Sequence, residues 1–236
     1  MNRICFLFLL FLSTKLLSQE STERVDIKLY TNFDYTPKYL YNDSDTLREY
    51  EKEINGFNFS PAMVFYSQNG NSNEIEISRF RLSNIYNKEY RLIDSLGAEE
   101  IFSANYEKQF ELFLRYEYKL ALFKEKEWEK FKTVIGFSAT PYFQWIKHQP
   151  EVSYEFSSSR TTVGLFLSVI PRVEYKLNDR WYLDLNIPLS LVTMNYITNK
   201  SNNPLLPVED RKVSIIDFHN GPIAFAVRFG VGYMIK

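Results

Sequence analysis

Few residues in this chain have the types and spacing for bond-making chemistry. The chain holds two histidines, and one of them, His219, follows Asp217 by two positions with Ser214 a little upstream. A hydroxyl, an imidazole and a carboxylate are the groups of hydrolysis or acyl transfer, in which a base activates the hydroxyl and the carboxylate orients the base. Their spacing satisfies no specific motif, so Ser214, Asp217, His219 and the second histidine, His148, read more plainly as polar loop residues. Asn42-Asp43-Ser44-Asp45 offers oxygens as a calcium loop would, but lacks the glycine and the closing glutamate at EF-hand spacing. Glu99-Glu100 is equally unspecific, and no phosphate-binding glycine loop occurs. The sequence therefore implies no catalytic residue, no metal site and no cofactor.

The elements that would position any site are more legible. Aromatic residues make up 17% of the 236 positions against only 8 glycines, a composition that leans towards β structure. Net charge is −1, which leaves no whole-chain electrostatic footprint for nucleic acid. The segment MNRICFLFLLFLSTKLLSQE has a basic start at Arg3 and a short apolar run from Ile4 to Leu12, as a secretory signal has; residues 1–18 are read as the signal and 19–236 as one domain. The only cysteine, Cys5, falls inside that signal, so the exported domain carries no disulfide and no thiolate metal site.

Strict alternation of large apolar and polar or small residues runs through segment after segment. It is clearest from Gln109 to Leu120, where Phe110, Leu112, Leu114, Tyr116, Tyr118 and Leu120 share one side and Glu111, Arg115, Glu117 and Lys119 the other. The same period recurs over Arg24–Phe33, Gly56–Tyr66, Phe131–Trp145, Val163–Leu177, Trp181–Leu191 and Ile223–Lys236. Over Asn73–Leu82 the parity changes between Ile75/Ile77 and Phe80/Leu82, which points to a β-bulge or a mis-phased strand. The total is about eight strands. If Asn178-Asp179-Arg180 is a three-residue turn, Tyr175 faces Leu183, Val173 faces Leu185 and Val169 faces Leu189, so both apolar ladders share a side. Glu174 then faces Asp184 and needs cationic neighbours such as Arg172 or Lys176. Pro61, Pro141 and Pro171 fall inside apolar runs, where bulges would accommodate them.

Alternation alone fits a soluble barrel with its apolar face inward as well as a membrane barrel with that face towards lipid. Three features favour the membrane barrel. The polar side mixes Glu111, Arg115, Glu117, Lys119, Arg172, Glu174, Lys176, Asp184 and Arg228 with small Gly136, Ser138, Gly164, Gly230 and Gly232, as a narrow lumen filled by paired charges would. Long connections, read at 34–55, 83–105, 146–160 and 197–213, alternate with short ones at 67–72, 121–128 and 178–180, with the long ones expected outside the cell and the termini in the periplasm. Aromatics such as Tyr175, Trp181, Tyr142 and Trp145 gather at strand ends, where interfacial girdles lie.

On the signal, the alternating strands and the closing stretch AVRFGVGYMI, the chain resembles the small outer-membrane β-barrel proteins of Gram-negative bacteria. The resemblance implies a closed antiparallel up-and-down transmembrane β-barrel of eight strands, with ten as the alternative. It also implies contact with outer-membrane lipid and lipopolysaccharide, and insertion by the barrel-assembly machinery. That machinery usually reads a terminal aromatic residue, whereas this chain ends in Lys236 with Tyr233 three before it. No activity comes with the resemblance. The residue-level reading is a structural or partner-binding barrel, its lumen plugged by charged side chains and its outer loops, bearing Tyr35, Tyr39, Tyr41 and Tyr50, available for contact. A lipid-modifying enzyme or, with more than eight strands, a narrow pore are the alternatives.

Overall fold

The computed structural model of the chain describes residues 24–37, 52–54, 58–67, 70–92, 99–122, 130–151, 155–221 and 226–235. The signal segment 1–18, Asn42–Asp45, Tyr39, Tyr41, Tyr50, Ile223 and Phe225 lie outside the described residues.

The described residues form eleven strands: β1 (Arg24–Pro37), β2 (Lys52–Ile54), β3 (Asn58–Tyr66), β4 (Ser72–Leu92), β5 (Glu99–Ala121), β6 (Phe131–Pro150), β7 (Ser158–Lys176), β8 (Trp181–Asn186), β9 (Leu189–Ser201), β10 (Lys212–Asn220) and β11 (Ala226–Ile235). Each pairs antiparallel with its neighbours, and β11 bonds both β8 and β1, so that β1, β3, β4, β5, β6, β7, β8 and β11 close a ring of eight. The closing ladder runs from Val25 opposite Ile235 to Asp34 opposite Ala226. Closure gives every strand of the ring two neighbours and removes the sheet edge that lipid could not satisfy. β9 continues β8, pairing with the outer part of β7, and β10 pairs with β9.

The polarity of this barrel is inverted relative to a soluble one. Ile27, Leu29, Met63, Ile75, Leu114, Phe137, Val163, Leu183, Leu185, Phe229 and Val231 all face outward and are exposed, while Lys28, Glu74, Glu76, Glu117, Lys119, Arg172, Glu174, Asp184 and Arg228 are buried inside. Such a distribution is stable only where the surroundings are apolar, because charged groups prefer water to an interior unless they are paired.

The turn after β7 has the expected three residues. Asn178 Oδ1 accepts hydrogen bonds from the backbone N–H groups of Arg180 and Trp181, both at 2.9 Å, and fixes the turn as asparagine commonly does. Tyr175 then stands opposite Leu183, Val173 opposite Leu185 and Val169 opposite Leu189, while Glu174 meets Asp184. The parity change in β4 is a bulge: Ile77 pairs with Leu114 and Arg79 with Phe113, leaving Ser78 as the extra residue. Ser60 Oγ donates to the carbonyl of Ser78 at 2.9 Å and ties the bulge to β3.

The prolines correct the sequence reading, because none of them sits in a bulge. Leu29 pairs with Pro61, Leu165 with Pro141 and Ile135 with Pro171 in unbroken register. The cost is taken as missing bonds on one side instead. The β3–β4 ladder begins only at Ala62, and the β5–β6 ladder skips the positions facing Pro141 and Thr140. Pro171 accepts from Ile187 N at 3.1 Å but has no N–H to return the bond. Ile187-Pro188 lies at that same point, so the expected strand 181–191 divides into β8 and β9.

The long connections are also shorter than the sequence reading implies. Strand structure extends to Leu92 and resumes at Glu99, extends to Pro150 and resumes at Ser158, and extends to Ser201 and resumes at Lys212. Most of 83–105 and just over half of 146–160 is therefore paired hairpin rather than loop, whereas 197–213 is paired only at its two ends and keeps a ten-residue connection at 202–211. His148 and Glu99-Glu100 are strand residues accordingly.

Candidate functional site in the lumen

The inward positions of the ring carry a layered set of polar side chains. The deepest layer centres on Arg172 of β7, only 1% exposed. Its guanidinium bonds Asp184 and meets the Glu117 carboxylate at 2.7 and 2.9 Å, with Tyr30 Oη accepting from it at 2.5 Å. Lys28 Nζ on β1 lies 2.7 Å from Glu174 and 2.5 Å from Asp184. It separates the two carboxylates that the β7–β8 register places directly opposite each other. Lys119 pairs with Glu74, and Tyr30 Oη lies 2.9 Å from the same Glu74.

One layer further out, Arg228 of β11 bonds Glu76 at 2.5 Å and stacks over the Tyr30 ring at 4.3 Å, while Arg115 reaches the other oxygen of Glu76 at 3.3 Å. Lys28, Arg115, Lys119, Arg172 and Arg228 thus meet Glu74, Glu76, Glu117, Glu174 and Asp184, five cations against five carboxylates. The layer is neutral overall, and every member has a partner, which is the condition for burying charge without a severe penalty. Glu111 accepts from Gln109 at 2.6 Å and from Gln144 at 2.5 Å, with Arg79 at 3.8 Å. Lys176 stands apart at the turn, paired with the exposed Asp179 at 3.0 Å.

Glycines make room for the large side chains of these layers. A Cβ on Gly232 would lie 2.1 Å from the Tyr182 ring, on Gly230 2.5 Å from Tyr30, and on Gly164 2.3 Å from Tyr142. Tyr182 faces Gly232, Tyr30 faces Gly230 and Tyr142 faces Gly164 across their ladders, so each ring covers the bare backbone beside it. A Cβ on Gly136 would meet the Glu117 carboxylate at 2.0 Å, which fixes where that carboxylate can sit.

Above the ion pairs, Phe113, Tyr142 and Phe166 stack in parallel across β5, β6 and β7, with centroids 4.7 and 4.8 Å apart. Tyr142 Oη donates to Asn195 at 2.5 Å, Asn195 Nδ2 donates to Asp217 at 3.3 Å, and His219 Nε2 lies 2.8 Å from the same Asp217 oxygen. An imidazole beside its orienting carboxylate is half of a nucleophilic site. Ser214 does not complete it: five residues from His219 on one strand, it projects to the opposite face, where its hydroxyl lies 3.1 Å from Thr198 Oγ1. Among the described residues there is no group of three or more histidine, cysteine, aspartate or glutamate side chains that could hold a metal ion.

Several of these residues were not singled out from the sequence. Lys28, Glu74 and Glu76 alternate with Ile27, Ile75 and Ile77, so the same parity rule that selects Glu117 selects them. Tyr30, Tyr142 and Tyr182 resemble outward aromatics in composition, and only their place opposite glycine marks them as interior.

No protein-family model matches the chain, and no curated protein matches it. Among solved structures, it is similar to a major outer membrane protein from Thermus thermophilus, at 13% identity over 90% of this chain and 98% of that one, with a TM-score of 0.48. It is also similar to Acinetobacter baumannii CarO, at 5% identity over 92% and 100% of the two chains, with a TM-score of 0.33. By its exposed apolar exterior, the paired charges within and the closure of the ring, the chain is an eight-stranded, closed, antiparallel transmembrane β-barrel.

Proposed function

We propose that this barrel sits in a bacterial outer membrane with a closed, non-conducting lumen and serves as a scaffold that presents its paired hairpins to a partner outside the cell. The observation that carries the reading is the neutral layer around Arg172 and Lys28. Eight strands enclose an interior just wide enough for side chains, and here those side chains are bonded to one another. An open path for ions would require that layer to part, which would strand buried charges at several kcal/mol each.

Outer-membrane lipid and lipopolysaccharide would surround the apolar exterior, and the barrel-assembly machinery would insert the chain. The tyrosine-bearing segment that includes Tyr35, Tyr39, Tyr41 and Tyr50 belongs to the partner-facing end in this reading. So do the outer parts of β4, β5, β6, β7, β9 and β10. The decisive experiment is single-channel recording in planar bilayers. Wild-type protein should give no discrete steps, whereas Lys28→Ala combined with Arg172→Ala should give them if the barrel still forms. Steady conductance from the wild type would sink the closed-lumen reading.

A further inference from the structure

The lipid-facing surface is not evenly convex. Over the seam where the ring closes it holds a groove of about 380 Å³, lined from β1, β3, β6, β7, β8 and β11 and almost wholly apolar. Its floor is the β8–β11 ladder, where Leu183 stands opposite Val231 and Leu185 opposite Phe229, the four of them 41–49% exposed. Phe59 and Phe131 stand at its two ends, both 69% exposed, so the rims rise where the floor is covered. β8, beneath the middle of the groove, is the shortest strand of the ring, with six residues. One end of the groove reaches the short turn beside the C-terminal strand. Lys130 precedes Phe131, its carbonyl accepts from Lys176 N at 2.9 Å, and Arg180 O accepts from Met234 N at 2.8 Å. Among the described residues, the start of β6 and the turn after β7 bear Lys130, Lys176 and Arg180 against Asp179.

We propose that this groove holds an acyl chain of one phospholipid, whose phosphate lies against Lys130 and Arg180 at the end of the barrel that carries the termini. The proposal rests on the transmembrane fold and not on the partner-presenting reading above. In a bilayer only apolar matter reaches the groove, and an unfilled one would forfeit the dispersion contacts of its whole lining. Its volume falls within the roughly 300–1,000 Å³ of small-ligand sites. A flexible chain with no polar atom suits a lining that offers almost none. Protein touches such a chain from below and from both ends of the floor, whereas a chain on a convex face is touched from one side only, so this one is held longer. The negative phosphate answers the excess of cations beside Phe131. A second copy of the chain fits poorly, because a two-fold axis along the membrane normal would set groove against groove, and two concave faces do not complement each other. The bound chain would cover β8, the strand that contributes fewest residues to the ring.

The test uses the full-length protein in nanodiscs of phosphatidylethanolamine and phosphatidylglycerol, released for native mass spectrometry. Wild type should keep one phospholipid after the surrounding lipid has been stripped away. Leu183→Trp fills the floor and should lower the bound fraction about tenfold, as displacing two buried methylenes would. Leu114→Trp, on β5 and as exposed to lipid as Leu183 but outside the groove, should leave it unchanged. Lys130→Ala combined with Arg180→Ala should lower it about threefold, as the loss of two exposed charge contacts would. A wild type stripped bare would overturn the site. So would retention that falls equally in Leu114→Trp, or a second copy of the chain retained in place of the lipid. Retention indifferent to the loss of Lys130 and Arg180 would overturn the headgroup assignment. Should Leu183→Trp lose the heat-modifiable migration of a folded barrel, wild type decides alone: a phospholipid with a photoreactive group in its acyl chain should label 181–186 and 226–235 above the other strands, and even labelling round the ring would sink the groove as a site.

Discussion

Gly232 leaves no room for one methyl group against an aromatic ring, because a Cβ there would lie 2.1 Å from Cζ of Tyr182. Gly232→Ala should therefore destabilise the barrel by about 1–3 kcal/mol, as overpacking of a filled interior does. Denaturant unfolding in lipid vesicles followed by fluorescence would measure it, and adding Tyr182→Ser should return most of the loss. If the double variant is as unstable as the single one, the ring is not what excludes the methyl. Arg172 sets a larger stake, since its removal leaves Asp184 and Glu117 buried beside one fewer cation. Arg172→Met should cost about 3–5 kcal/mol in the same assay. Arg228→Met should cost less, because Glu76 keeps Arg115 at 3.3 Å.

At the scale of elements, the bulge in β4 makes a prediction about deletion. Ile77 and Arg79 already pair with adjacent residues of β5, so removing Ser78 leaves both ladders in register and every flanking side chain on its present face. The variant lacking Ser78 should keep the heat-modifiable migration of a folded barrel, while one lacking Phe80 should lose it, because Leu82 would turn into the lumen. That bulge was legible in the sequence as a parity change, and so was the three-residue turn at Asn178, since both lie where lipid outside and ion pairs inside impose opposite chemistry on alternate positions. Towards the strand ends opposite the termini the same strands became illegible. β10 carries Val213 and Ile215 on one face, Ile216 and Phe218 on the other, and exposes all four. With apolar side chains on both faces the alternation is lost, so paired strand ends read as loops. The partners of the lumen charges were hidden for another reason. Lys28 meets Glu174 and Asp184 across 146 and 156 residues, and a periodicity says which face a side chain takes but not which strand it meets.

The whole molecule is held between two interfaces, and its tryptophans report both. Trp181 packs edge-on against Tyr233 at 4.9 Å beside the short turn, and Trp145 lies opposite Phe110 on the far side of the apolar belt. With the other tryptophans replaced by phenylalanine, each should be quenched more by lipids brominated near the headgroup than near the chain end. Deep quenching of either would move the belt along the barrel. The placement of Lys28 also bears on assembly. Its two shorter ion pairs are to carboxylates on β7 and β8, reached only when β1 has come round to β11 and closed the ring, whereas Glu74 on β4 stands at 3.5 Å. An unclosed sheet in lipid would hold Glu174 and Asp184 side by side without Lys28 between them, with Arg172 alone on Asp184, as well as two bare strand edges. Partly inserted forms are thus penalised twice over, by electrostatics and by the backbone, and the barrel should enter the membrane in a single cooperative step, with no long-lived half-barrel on the way.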